Sequence, residues 1–155
     1  MSTYAEKKNE FRKLRLELDK NTDTYCQAME QNRKEYNEAK AANDIETMVA
    51  IRQKEEDIKT TYRKRDDELN EWLKVFKQEV DSKTLDSIIK DLNQEEDIER
   101  DILRELDAQG DFIVPNQTAF DKYAPSALMG AIYNLIEKGV LKKRDCEGTA
   151  YEYNR

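Results

Sequence analysis

The stretch Ala41-Ala42-Asn43-Asp44-Ile45-Glu46 decides how the first half of this chain folds. It separates two long helical patterns, and Asn43 followed three residues later by Glu46 matches the capping box that begins a helix. Two small alanines before it allow a close approach, and so short a connection usually joins antiparallel helices. We therefore predict a reversal at residues 41–46. One uninterrupted helix remains the alternative, because no residue of the stretch forbids it.

Apolar residues spaced three and four apart lie on both sides of this stretch, which is the pattern of a coiled-coil seam. The first seam includes Phe11 and Leu14 but is interrupted by Asn21 and Asn32, and polar seam residues can fix register and chain number. The second is strongest at Leu69-Trp72-Leu73-Phe76-Val80. We predict a coiled-coil helical hairpin over residues 1–81 that forms a homodimer or a higher oligomer. Trp72 is expected to pack against the first helix or the C-terminal domain, or alternatively to contact a partner.

Glycine and proline are absent from the first 109 residues, and all six lie beyond that point. Charged residues make up 39% of the chain and hydrophobic ones 37%, whereas a compact globule has about 45–50% apolar residues. Much of the chain should therefore form solvated helix surface. No apolar run approaches the roughly 18 residues that cross a bilayer, and the first residues lack the apolar core of a signal peptide. We expect no membrane partner and a cytoplasmic location, or a nuclear one in a eukaryote.

Catalytic and metal-binding chemistry has little support in the residue types present. There is no histidine, and Cys26 and Cys146 are too far apart in the sequence to form a usual Cys/His zinc site. The chain also lacks a phosphate-binding loop, a dinucleotide glycine motif and a nucleophile elbow. We expect reduced thiols, no metal site, no cofactor and no enzymatic activity.

Beyond the hairpin, the pattern changes to short elements with their own punctuation. Ser82 or Thr84 is predicted to cap a connecting helix over 82–94, and Asn93 with Glu96 to cap a second helix that ends at Gly110. The remaining elements follow in order. They are a short strand at Phe112-Ile113-Val114, a short helix over 116–123 with Phe120 inward, a helix from Pro125 to Lys138 closed by Gly139, and a β-hairpin from Val140 to Tyr153 with Glu147-Gly148 at its turn.

The run Leu135-Ile136-Glu137-Lys138-Gly139-Val140-Leu141, followed by Lys142-Lys143-Arg144 and the hairpin, resembles the end of the recognition helix and the wing of a winged helix-turn-helix domain. The resemblance covers residues 95–155. It implies a mainly α protein with a small C-terminal α/β domain that lays a helix in the major groove of DNA and a wing on the backbone. The nucleic-acid-binding candidates it implies are Lys122, Ser126, Asn134, Lys138, Lys142, Lys143 and Arg144.

The helix face that would read bases departs from the family pattern, since it offers Ser126, Ala127, Met129, Gly130, Tyr133 and Asn134 but no arginine. Met129 and Tyr133 are instead candidate contacts to a protein partner, or alternatively lie partly in the core. Residues 111–155 have no net charge, so the run from Lys142 to Arg144, with Lys138, is the only concentrated basic patch of the module. Two functions stay open: a transcription-related protein that binds double-stranded DNA, and an adaptor that docks a protein.

Overall fold

A computed structural model describes residues 2–146 and 148–155. Met1, at the start of the predicted coiled coil, and Glu147, in the predicted hairpin turn, lie outside the described residues. The described part is mainly helical, with one small antiparallel sheet. Its elements are α1 (Tyr4–Ala41), α2 (Ile45–Glu79), α3 (Ser82–Gln109), a 3-10 turn (Thr118–Phe120), α4 (Pro125–Glu137), β1 (Leu141–Lys143) and β2 (Tyr151–Tyr153).

The chain divides into two compact units, Met1–Thr84 and Leu85–Arg155. The first contains α1 and α2, and the second contains most of α3 and every later element. Among the described residues, no helix has both the length and the apolar character that crossing a bilayer requires.

The predicted reversal between α1 and α2 is confirmed, and the uninterrupted helix is wrong. Asn43 is not the N-cap, however. It adopts a left-handed conformation with a φ of 55°, whereas an N-cap residue needs an extended backbone. The cap of α2 is Asp44, whose carboxylate accepts the Thr47 backbone N–H at 3.2 Å. The hydrogen bonds from the Thr47 hydroxyl and backbone N–H lower the pKa of Asp44.

The two long helices pack as an antiparallel pair, and their apolar seam is filled by one chain. Phe11 and Phe76 are both buried, with ring centroids 5.3 Å apart. Trp72 of α2 is half-buried, and its indole N–H donates to Oε1 of Glu10 on α1 at 3.3 Å. At the end far from the loop, Lys7 Nζ lies 2.6 Å from Glu79 Oε2. The seam residues therefore pack between the two arms of the predicted hairpin.

Asn21 and Asn32 link the two helices in a repeating way. The Asn21 side-chain amide donates to the Tyr62 carbonyl oxygen at 3.2 Å, and that of Asn32 donates to the Ile51 carbonyl oxygen at 3.1 Å. Both pairs are separated by eleven residues on each helix, about three helical turns. The two asparagines therefore fix one antiparallel register of the hairpin.

Helix α3 runs without a break through the predicted boundary at Asn93, so the separate connecting helix is wrong. Its buried stripe includes Ile88, Leu92, Ile98 and Ile102, which stay in phase on one face, while Asn93 is exposed. A capping residue acts as a cap only where the chain turns, and the continuous stripe keeps the chain helical. Neither Ser82 nor Thr84 caps α3, since Asp81 accepts the Thr84 backbone N–H at 2.8 Å.

The second unit is built around one apolar core, formed by α3, α4 and the sheet. The core includes Ile98, Ile102, Leu106, Ile113, Phe120, Leu128, Ile132, Leu135, Leu141 and Tyr151. The strands pair in the register Leu141↔Tyr153, and the predicted strand at 112–114 is reduced to a bridge between Ile113 and Tyr151. The predicted helix at 116–123 is reduced to the 3-10 turn, with Phe120 inward as predicted.

Candidate nucleic-acid interface

The predicted wing corresponds to the two-stranded sheet of β1 and β2 with the described residues next to it. Lys142 lies opposite Glu152, and its Nζ is 4.0 Å from Glu152 Oε1, which is the outer limit of an ion pair. Lys143 lies opposite Tyr151 and is exposed, with no ionic partner among the described residues. An exposed lysine without a partner is the simplest kind of phosphate contact, because no internal bond has to be broken.

Arg144 ends the basic run in a more ordered setting. Its backbone N–H donates to the Ala150 carbonyl oxygen at 2.8 Å, which closes the hairpin beyond the last paired residues. Its guanidinium carbon lies 4.5 Å from the centroid of the Phe112 ring, a cation–π arrangement that fixes a long, otherwise mobile side chain. Arg144 is half-buried, and Phe112 remains 39% exposed beneath it.

The two other lysines among the predicted nucleic-acid residues pair with acidic side chains of α3. Lys138 Nζ lies 3.0 Å from Glu99 Oε2, and Lys122 Nζ lies 3.4 Å from Asp101 Oδ2. Asp101 also accepts a hydrogen bond from the Tyr123 hydroxyl. These two lysines are partly neutralised within the unit, so their charge is less available to a phosphate than the charge of Lys143.

Asn134 is not on the exposed face of α4, contrary to the prediction. It is buried, and its side-chain amide donates to Glu95 Oε2 at 3.0 Å. Glu95 itself is only 2% exposed. A buried carboxylate needs hydrogen-bond donors, and Asn134 supplies one from the facing helix. Asn134 therefore holds α4 against α3 and is withdrawn from a base-reading role.

The remaining positions on α4 divide between surface and core. Ser126 and Tyr133 are exposed, and Tyr133 keeps 59% of its accessible surface. Met129 and Ala127 are half-buried against the apolar core. The solvent-exposed face of α4 is thus narrower than the predicted face, and its largest side chain is the aromatic ring of Tyr133.

Two buried glutamates on α3 were missed from the sequence. Glu95 and Glu99 lie on the same face as Ile98 and Ile102, and both are under 10% exposed. The available signal was their spacing, since both glutamates fall in phase within the apolar stripe that runs from Ile88 to Leu106. A second signal was Gly130 in the middle of a helix, where a Cβ would lie 2.9 Å from Glu95 Oε1.

No family model matches this chain, and the comparisons with curated proteins and with solved structures found no match. Both cysteines are free thiols on the surface, and no group of three or more Cys, Asp or Glu side chains within residues 2–146 and 148–155 is placed to hold a metal ion.

Proposed function

We propose that the unit Leu85–Arg155 is a winged-helix module that binds the backbone of double-stranded DNA, and that the chain is a non-enzymatic, transcription-related accessory factor acting as a dimer. The observation that carries the proposal is the division of its positive charge. Lys122 and Lys138 pair with carboxylates of α3, while Lys143 has no ionic partner among the described residues and Lys142 has only a distant one.

The order of elements supports the winged-helix assignment. A long helix, an isolated bridge at Ile113, a 3-10 turn, helix α4 and a hairpin follow one another, and Ile113 joins the edge of the hairpin through Tyr151. In a winged helix, α4 occupies the place of the recognition helix and the loop between β1 and β2 forms the wing. The departure is the reduction of the helix before α4 to three residues.

Such a wing favours affinity without sequence readout. Lysines and arginines that contact phosphates contribute binding energy but carry no information about bases. The exposed side of α4 offers Ser126 and Tyr133 in place of the Arg, Asn or Gln that read base edges. We therefore infer binding that is weak for one module, is insensitive to sequence, and is strengthened when a second copy doubles the basic patch.

A titration of fluorescently labelled random duplex at about 50 and about 200 mM salt tests the proposal. Affinity should fall steeply with salt, and Lys142→Ala/Lys143→Ala should weaken it and make the salt dependence shallower. The matched control is Arg63→Ala/Lys64→Ala, which removes the same charge from exposed positions of α2 and should leave the salt slope unchanged. No binding at low salt contradicts the proposal.

A protein-docking adaptor is the second candidate, and the exposed ring of Tyr133 favours it. An aromatic side chain that is 59% exposed on a short helix is typical of an interface anchor. If the chain is an adaptor, the native protein should show no duplex binding at low salt. Tyr133→Ala should then keep the fold intact and abolish association with a protein partner.

A further inference from the structure

A groove between α1 and α2, in the half of the hairpin nearer the loop, is a surface feature of the first unit that its own packing does not fill. Its volume is about 1000 Å³, and its apolar lining includes Met29, Tyr36 and Val49. Val49 is 63% exposed, and Ile45, one turn before it on the same helix, is 70% exposed. The hairpin thus leaves branched apolar side chains in solvent beside a seam that is otherwise closed.

The charges that line this groove follow the same order on both helices. On α1, Arg33 is nearer the loop than Glu30, and on α2, Arg52 is nearer the loop than Glu55 and Glu56. The positive and negative levels are three or four residues apart, about 5 Å along the axis. Arg33 has no ionic partner among the described residues. Glu55 and Glu56 pair with Lys59 on their own helix, but such exposed pairs are weak.

We propose that a second copy of this chain occupies the groove, related by a two-fold axis that crosses the hairpin between these two charge levels. A two-fold contact turns the partner hairpin end for end, so each arginine level faces the glutamate level of the other copy. The same operation lays α1 of one copy along α1 of the other and α2 along α2, so the two grooves face each other. The result is an antiparallel four-helix arrangement of two hairpins.

Uncharged amides lie at the level of this axis. Residues near a two-fold axis meet their own copies, and a charge there would be repelled by its equivalent. Gln53 lines the groove at this level and is exposed, so it can meet its own copy. Asn32 lies at the same level but is buried within its own hairpin. An amide is both donor and acceptor, so it tolerates its own copy where a charge does not.

This interface supplies the second copy that the proposed function invokes, but it does not depend on nucleic acid. It is therefore tested without DNA. Sedimentation equilibrium of the native chain should give twice the 18.3 kDa of one copy. Arg33→Glu/Arg52→Glu makes the groove wholly negative, and Glu30→Arg/Glu55→Arg/Glu56→Arg makes it wholly positive. For each variant alone, the dimer dissociation constant should rise by about a hundredfold or more, since like charges then face each other.

An equimolar mixture of the two variants decides the question, because a negative groove then faces a positive one. The mixture should recover the dimer, whereas Arg63→Glu/Lys64→Glu, a matched charge reversal outside the groove, should leave the native dimer intact. A native monomer overturns the proposal, as does a dimer that survives both charge reversals. If either variant loses helix by circular dichroism, Gln53→Cys in a Cys26→Ser/Cys146→Ser chain replaces it. Mild oxidation should then link two copies at residue 53, and the absence of that disulfide overturns the proposal.

Discussion

Glu95 lies so close to Gly130 that a Cβ built on residue 130 would come within 2.9 Å of Glu95 Oε1. The missing side chain makes room for a buried carboxylate between α3 and α4. Asn134, one turn further along α4, then donates to the other oxygen of the same carboxylate at 3.0 Å. The glycine and the asparagine thus form one site for Glu95, and this site sets how closely the candidate recognition helix approaches α3.

This contact predicts that Gly130→Ala has opposite effects in two backgrounds. Alanine improves helix propensity by about 1 kcal/mol. In the native chain, however, its methyl group collides with Glu95, which is 2% exposed and has little room to move. We expect Gly130→Ala to lower the free energy of unfolding by ~1–2 kcal/mol. In a Glu95→Ala background it should raise that free energy by ~0.5–1 kcal/mol. Urea denaturation of the four chains completes the cycle, and equal effects in both backgrounds contradict the steric explanation.

Lys138→Met should destabilise the second unit even when no nucleic acid is present. Lys138 is the ionic partner of Glu99, whose side chain is 9% exposed and whose Oε1 atom has no hydrogen bond. Removing the ammonium group leaves a buried carboxylate unpaired, which should cost ~1–3 kcal/mol by thermal or urea denaturation. Lys138→Met/Glu99→Met should recover most of the loss, because both charges are then absent. If Lys138→Met leaves the free energy of unfolding unchanged, the ion pair contributes nothing to stability.

Replacing Asn32 with leucine should exchange specificity for stability. The buried Asn32 amide makes one bond, to the Ile51 carbonyl oxygen, and leaves Oδ1 unpaired. We expect Asn32→Leu to raise the free energy of unfolding by ~1 kcal/mol. Asn21→Leu/Asn32→Leu removes both interhelical amide bonds and should let the hairpin slip. The slipped forms would be visible as extra peaks in a ¹⁵N-correlation spectrum, and one sharp set of peaks from the double variant contradicts the register role.

Alkaline pH should weaken the contact between Tyr153 and α3. The Tyr153 hydroxyl donates to Asp107, and this hydrogen bond, followed by burial, raises the pKa of Tyr153 above its ordinary value of 10.0. Because the folded-state pKa is raised, the contribution is fully present below the unfolded-state pKa. It is lost as pH rises through the folded-state pKa. The melting temperature of the native chain should therefore exceed that of Tyr153→Phe at pH 8, and the difference should shrink above about pH 10. A constant difference contradicts this origin.

The parts of the fold that depend on local periodicity were predictable from the sequence. The reversal near Asn43, the Pro125 start of α4 and the hairpin after Gly139 all follow from caps, spacing and turn residues. The errors arose where several residues satisfy the same local rule. Asn43 and Asp44 are equally good caps, and only the backbone conformation in the folded chain selects Asp44.

The candidate site was less predictable, because its residues are selected by contacts between elements that are distant in the sequence. Whether Lys138 or Lys143 offers its charge to solvent depends on Glu99, which lies 39 residues before Lys138. A glutamate in an acidic segment looks like ordinary helix surface until its neighbours are known. The spacing of Glu95 and Glu99 was visible in the sequence, but their burial required the position of α4.

The Asn21–Tyr62 and Asn32–Ile51 bonds are eleven residues apart on each helix, so the same interhelical contact repeats along the hairpin at that interval. Eleven residues turn a helix almost exactly three times, so removing eleven from each arm returns every remaining side chain to nearly its former direction. Matched deletions of this size would shorten the arms by about 16 Å and leave the rest of the seam in step. Evolution or a protein engineer can therefore adjust the reach of these arms in fixed increments without redesigning how they fit together.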